Sequence, residues 1–110
     1  MSDYIVILCT VPSLQVAEKI AQTLVPRKLA ACVNIVSGLI SVYWWKGEIC
    51  REQECLLIIK SRRALFPGLK EAILSEHPYE VPEIVTMPIE EGHQPYLDWI
   101  EASTIPSPQE

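Results

Sequence analysis

The residues best suited to chemistry in this 110-residue chain are Cys9, inside "LCTVP", and His77, inside "SEHPYEVPEI". A thiol and an imidazole brought together make a nucleophile and its base, with Tyr79 or Glu83 as helpers. No oxyanion-hole motif or cofactor loop accompanies the pair. The four glycines, at 38, 47, 68 and 92, are too scattered for a phosphate-cradling loop. The sequence thus reads as a protein without enzymatic activity. Pro78 and Pro82 stiffen the backbone around His77 and Tyr79 and forbid helix continuation. Such a link holds a site in place, or simply joins a helix to a strand.

The four cysteines, at 9, 32, 50 and 55, lie in apolar or strand-like runs without CxxC spacing. That pattern suits reduced thiols buried as small hydrophobes better than a disulfide frame, a zinc knuckle or the loop of a metallochaperone. Cys9 ends an apolar run shortly before a helix starting near Ser13, whose oriented N–H groups lower the pKa of a thiol that faces them. A net charge of −5 argues against a phosphate-backbone partner, so no nucleic acid is expected. The one tight basic pair, Arg62-Arg63, reads as a solvated helix start. No stretch approaches the ~20 apolar residues of a membrane span, and "MSDYIVILC" lacks a basic segment ahead of its apolar run; a cytoplasmic protein without membrane attachment is expected.

With 49% hydrophobic residues the chain suits one domain over residues 1–105, with 106–110 as a flexible tail. "YIVILCT" (4–10) has the length and continuity of a buried strand. Behind Ser13 as N-cap, Ala17, Ile20, Ala21 and Leu24 recur at helical spacing until Pro26. "LAACVNIVSGLISVYWW" (29–45) is β-rich with a bulge or bend at Ser37-Gly38, and Lys46-Gly47 turns it tightly into "EICREQECLLIIKS" (48–61). A second helix shows Phe66, Leu69 and Ile73 on one face, with Pro67 in its first turn. "EIVTMPI" (83–89) supplies a fourth strand and "QPYLDWIEAS" (94–103) a terminal helix.

This order defines an α+β, ferredoxin-like split β-α-β-β-α-β fold with an extra C-terminal helix and a long hairpin between its second and third strands. Right-handed crossovers put strands one and three in the middle. A straight strand over 29–45 spans roughly 55 Å at ~3.3 Å per residue, whereas a globular chain of this size is about 34 Å across. The hairpin must bend or protrude. Left open, an edge carrying Leu39, Ile40, Val42, Tyr43, Trp44 and Trp45 invites aggregation, so it is expected to pair with a neighbouring subunit.

"LCTVP" (8–12), "LAACVNI" (29–35), "YWWKGEI" (43–49), "HPYEVPEI" (77–84) and "YLDWI" (96–100) together resemble the CutA family of divalent-cation tolerance proteins, from about Ile5 to Ser103. The resemblance implies a tight homotrimer built through the long hairpins, a part in metal tolerance, and architectural kinship with the trimeric PII-type signalling proteins. It further implies a copper or other divalent-cation site at Cys9, Glu76 and His77, with Glu76 standing where bacterial relatives have a second histidine. That exchange weakens a site for soft metals. Kinship with PII-type proteins also implies a scaffold that binds small ligands between subunits without catalysis, and the "YWWKGE" tip, Lys60, Arg62 and Tyr96 are candidates to line such a cleft.

Overall fold

In the computed structural model, which describes residues 3–106, the elements run β1 (Tyr4–Val11), α1 (Leu14–Leu24), β2 (Cys32–Trp45), β3 (Glu48–Arg62), α2 (Phe66–Glu76), β4 (Val85–Pro88) and α3 (Gln94–Ala102). Apart from Pro106, the expected tail lies outside the described residues. The strands form one antiparallel sheet in the order β2-β3-β1-β4, so the two most apolar runs are central, as the topology requires. The fold is the expected α+β, ferredoxin-like arrangement with its long β2–β3 hairpin.

Local chemistry accounts for most boundaries. Ser13 caps α1 by accepting the Val16 N–H at 3.2 Å. The strand expected from residue 29 begins only at Cys32, because the amides of Leu29 and Ala30 bond back to the Leu24 carbonyl and close α1. The register of β2 against β3 shifts between Val36 and Leu39, and Gly38 takes φ +79° there, a conformation an L side chain resists. Lys46 and Gly47 both have positive φ and make the two-residue turn that suits the twist of a hairpin. The fourth strand is shorter than expected and comprises the four residues that pair with Ile5–Leu8.

One sheet face holds the core. Ile5, Ile7, Cys9 and Val11 of β1 alternate with less buried neighbours and meet Leu57 and Ile59 of β3 beneath α1 and α2. Arg62 departs from its expected solvated role: it ends β3, is buried, and donates through Nε to Thr104 Oγ1 at 2.9 Å and through Nη2 to the Ile105 carbonyl. A short 3₁₀ turn, Arg63–Leu65, precedes α2. The molecule measures 43 × 27 × 24 Å with a radius of gyration of 14.6 Å, above the about 13 Å of a compact chain of this length. The outer hairpin, with exposed Val42, Trp44 and Ile49, accords with that elongation.

Leu57 has no accessible surface and sits among the helices' apolar side chains. Leu57→Ala is expected to cost about 2–5 kcal/mol, read from urea unfolding at fixed chain concentration. A loss under about 0.5 kcal/mol, the range of ordinary surface changes, contradicts this placement.

Candidate functional site

His77 ends α2. Its backbone turns extended, as a residue before proline must, while its N–H still closes the helix on the Ile73 carbonyl at 2.9 Å. The residue is 8% exposed and both ring nitrogens are engaged. Nε2 lies 2.8 Å from the Thr10 carbonyl and Nδ1 lies 3.2 Å from the Tyr79 N–H. A carbonyl only accepts and an amide only donates, so Nε2 carries the hydrogen and Nδ1 receives one. The imidazole thereby pins the proline link to the end of β1. It has no nitrogen free to serve as base to Cys9 or as ligand to a metal.

The other expected donors are also otherwise engaged. Cys9 is fully buried on the core face, and burial, together with the negative charges of Glu83 and Glu54, pushes its thiol up to about 12. The lowering that a thiol facing the start of α1 would show is not seen, because the side chain packs inward. Glu76 binds the Thr23 hydroxyl through Oε1, joining α2 to α1, while its Oε2 is buried without a partner. Among the described residues no three His, Cys, Asp or Glu side chains are grouped to hold a metal ion. As packed, Cys9, Glu76 and His77 do not fit a copper centre.

The structure offers instead a cleft of about 760 Å³ between the hairpin and the proline link. Thr10 lies at its base, Tyr43, Trp45 and Cys50 on its hairpin wall, and Pro78, Tyr79 and Val81 on the other. Its charged lining is four glutamates, Glu52, Glu54, Glu80 and Glu83. Glu54 is only 6% exposed, and its Oε2 accepts the Tyr79 hydroxyl at 2.5 Å. Burial and then this bond push the Tyr79 phenol well above its ordinary range. Tyr43 donates to Glu52 Oε1 at 3.1 Å. Lys60, Arg62 and Tyr96, expected to line a cleft between subunits together with the hairpin tip, do not line this cleft within one chain. Glu52 and Glu54 escaped the sequence reading, although their two-residue spacing in "REQEC" places both on one strand face.

The sheet order, the long hairpin and the helices on one face define a ferredoxin-like α+β subunit. The CutA1 divalent ion tolerance protein family matches residues 5–103. The chain is 54% identical over 99 residues to the divalent-cation tolerance protein CutA of Thermus thermophilus, covering 90% of this chain and 96% of that one. The solved structure of the Thermus protein superposes with a TM-score of 0.90 at 53% identity, over 92% and 98% of the two chains. CutA1 from Oryza sativa superposes at 0.91 with 43% identity, over 94% and 95%. The curated rice protein, named as chloroplastic, is 45% identical over 100 residues, 91% of this chain but 56% of its own length. A CutA structure from Archaeoglobus fulgidus, titled periplasmic, reaches 0.88 at 40% identity, over 91% and 97%. This chain belongs to the CutA1 divalent ion tolerance family. The family's description names tolerance of ions and no reaction. Among the described residues no helix is long and apolar enough to cross a membrane.

The raised Cys9 thiol sets a pH dependence. Between its ordinary value of 9.0 and about 12, the unfolded chain releases this proton while the folded chain keeps it. Stability is therefore unaffected by this group below pH 9 and falls as pH rises toward 12. Denaturant midpoints measured from pH 7 to 11 are expected to decline less steeply in Cys9→Ala than in the parent. Parallel curves contradict the assignment.

Proposed function

We propose that the chain acts as a cytoplasmic homotrimer in divalent-cation tolerance and takes up copper or a related cation only when the His77 ring leaves its partners Thr10 and Tyr79. One observation carries the assembly: the sheet face opposite the helices is apolar and open. Ile58, Leu8 and Val85 lie side by side across three strands, with Leu56, Val6 and Met87 in the adjoining rows. Val85 and Met87 are each 47% exposed, and the rest are half-buried. α3 meets this face at its Tyr4–Arg62 end, where the Tyr4 hydroxyl donates to Glu101 at 3.0 Å. A patch of this kind marks an interaction surface, and the family resemblance supplies a second and third copy as its cover. All four cysteines are free, which suits a reducing compartment.

Light scattering is expected to give a mass about three times the 12.4 kDa of the chain. Leu8→Asp is expected to dissociate the assembly by placing a charge in a desolvated interface. A monomeric parent protein refutes the reading.

The metal half rests on the family's name and on the resemblance that assigns Cys9, Glu76 and His77. Their chemistry suits a soft cation. Their packing opposes it, since Thr10 and Tyr79 must lose the His77 ring before a metal gains it. Copper titration by calorimetry is expected to show tighter binding in Glu76→His and weaker binding in His77→Ala than in the parent, with affinity falling as protons compete for the ligands at lower pH. Equal affinities in all three proteins take these residues out of the site. A second reading, a PII-like ligand-binding scaffold without catalysis, is favoured by the cleft at the hairpin.

A further inference from the structure

The lining of the cleft is one-signed. Four glutamates face it and no lysine, arginine or histidine does. Glu54 is the informative one, because a carboxylate this buried ordinarily has a countercharge. Here its Oε2 has a phenol, and among the described residues nothing donates to Oε1. That oxygen is not among the sealed, unpartnered atoms of the interior, and Glu54 is part of the cleft lining. The burial of Glu54 is thus balanced by a single neutral hydrogen bond, and a cation supplied from outside completes it.

Three features narrow the cation. The carboxylates are spread along the cleft and do not converge, and no three of them are grouped to hold one metal ion. Glu52 and Glu54 lie two residues apart on β3, about 7 Å along the strand, comparable to two ammonium groups on a propyl or butyl spacer. Tyr43, Trp45 and Tyr79 add aromatic surface that suits methylene groups and attracts ammonium ions. The rim already shows this recognition with the chain's own amine: the Lys46 ammonium lies 5.6 Å from the Trp45 ring centroid and 3.8 Å from Glu80 Oε2. The buried Glu54 also has an aromatic neighbour, Tyr79, and no amine.

We propose that this cleft binds a linear aliphatic polyamine, its ammonium groups on Glu54, Glu52 and Glu83 and its methylene groups along Tyr43 and Trp45. The proposal rests on the ligand-binding reading of the cleft and does not depend on the metal reading; Glu52 and Glu54 share the β3 face of Leu56 and Ile58, so it requires the cleft to stay open in the assembled protein. The volume of about 760 Å³ lies within the range of small-molecule sites.

Calorimetry on the full chain at physiological salt, with spermidine, n-butylamine, magnesium chloride and ATP as separate titrants, tests it. Spermidine is expected to bind once per chain and at least about tenfold tighter than n-butylamine, since each further charged hydrogen bond is worth about that factor. Glu54→Gln is expected to weaken spermidine about tenfold by the same reasoning, and the exposed Glu52→Gln and Glu83→Gln keep the test open should the buried variant unfold. Glu71→Gln, on the outer side of α2, is expected to leave the affinity unchanged. Equal weakening by Glu71→Gln and the cleft variants means attraction to net charge alone and overturns the proposal. Magnesium binding as tight as spermidine overturns it in favour of a metal. Binding of ATP but not spermidine overturns the polyamine while keeping a ligand site, and heat from none of the titrants removes both. Binding seen only in dissociated Leu8→Asp assigns the cleft to a neighbouring copy and likewise overturns it.

Discussion

β1 and the Cys55–Ile59 stretch of β3 are apolar on both faces, and one chain covers only one face fully. Ile5, Ile7, Cys9 and Val11 point toward α1 and α2 and close the core, while Val6 and Leu8 point the other way beside Ile58 and Leu56. Central strands of this composition belong to sheets covered on both sides. α3 relieves only the end near Tyr4 and Arg62, where the buried guanidinium holds Thr104 and Ile105 against the sheet. The remaining open face and the projecting hairpin are left uncovered by one chain, and burial of that surface is what the proposed assembly would contribute.

The residues that look most chemical serve the architecture. His77 spans 67 positions of sequence to reach the Thr10 carbonyl, and it fixes where the chain leaves α2. Cys9 fills the core as a neutral thiol, and Glu76 ties the ends of α1 and α2 through Thr23. The link that His77 anchors becomes one wall of the cleft, and the hairpin becomes the other. Tyr79 joins the two walls through Glu54, so the fold and the candidate binding surface share one hydrogen bond. A histidine engaged at both nitrogens makes a good brace for such a wall because its tautomer and orientation are both set by its partners.

Much of the architecture was legible before any coordinates. Apolar runs of strand length, Ser13 as a cap, Gly38 at the bulge and Lys46-Gly47 at the turn are local signals, and each element forms within a residue or a few of its expected place. Strand order followed from chain order, because right-handed connections leave few ways to arrange four strands. The start of β2 was less legible, since Leu29 and Ala30 are held by Leu24 through capping bonds that their own β-like composition conceals. Arg62 misled for a related reason: beside Arg63 it looks solvated, yet its partners include Thr104 and Ile105, 42 and 43 residues away along the chain.

The sequence by itself determined the elements, their order and the family, because propensity, periodicity and turn chemistry act between residues a few positions apart. Tertiary structure alone decided what the functional side chains face. Cys9 titrates high rather than low because its side chain points into the core and near Glu54 and Glu83. His77 is a brace because the Thr10 carbonyl and the Tyr79 amide converge on its ring. Glu54 is a buried carboxyl beside a cleft, with Tyr79 of the proline link reaching back to it. Desolvation and hydrogen bonding depend on contacts between distant segments, and no pattern of spacing along the chain encodes them.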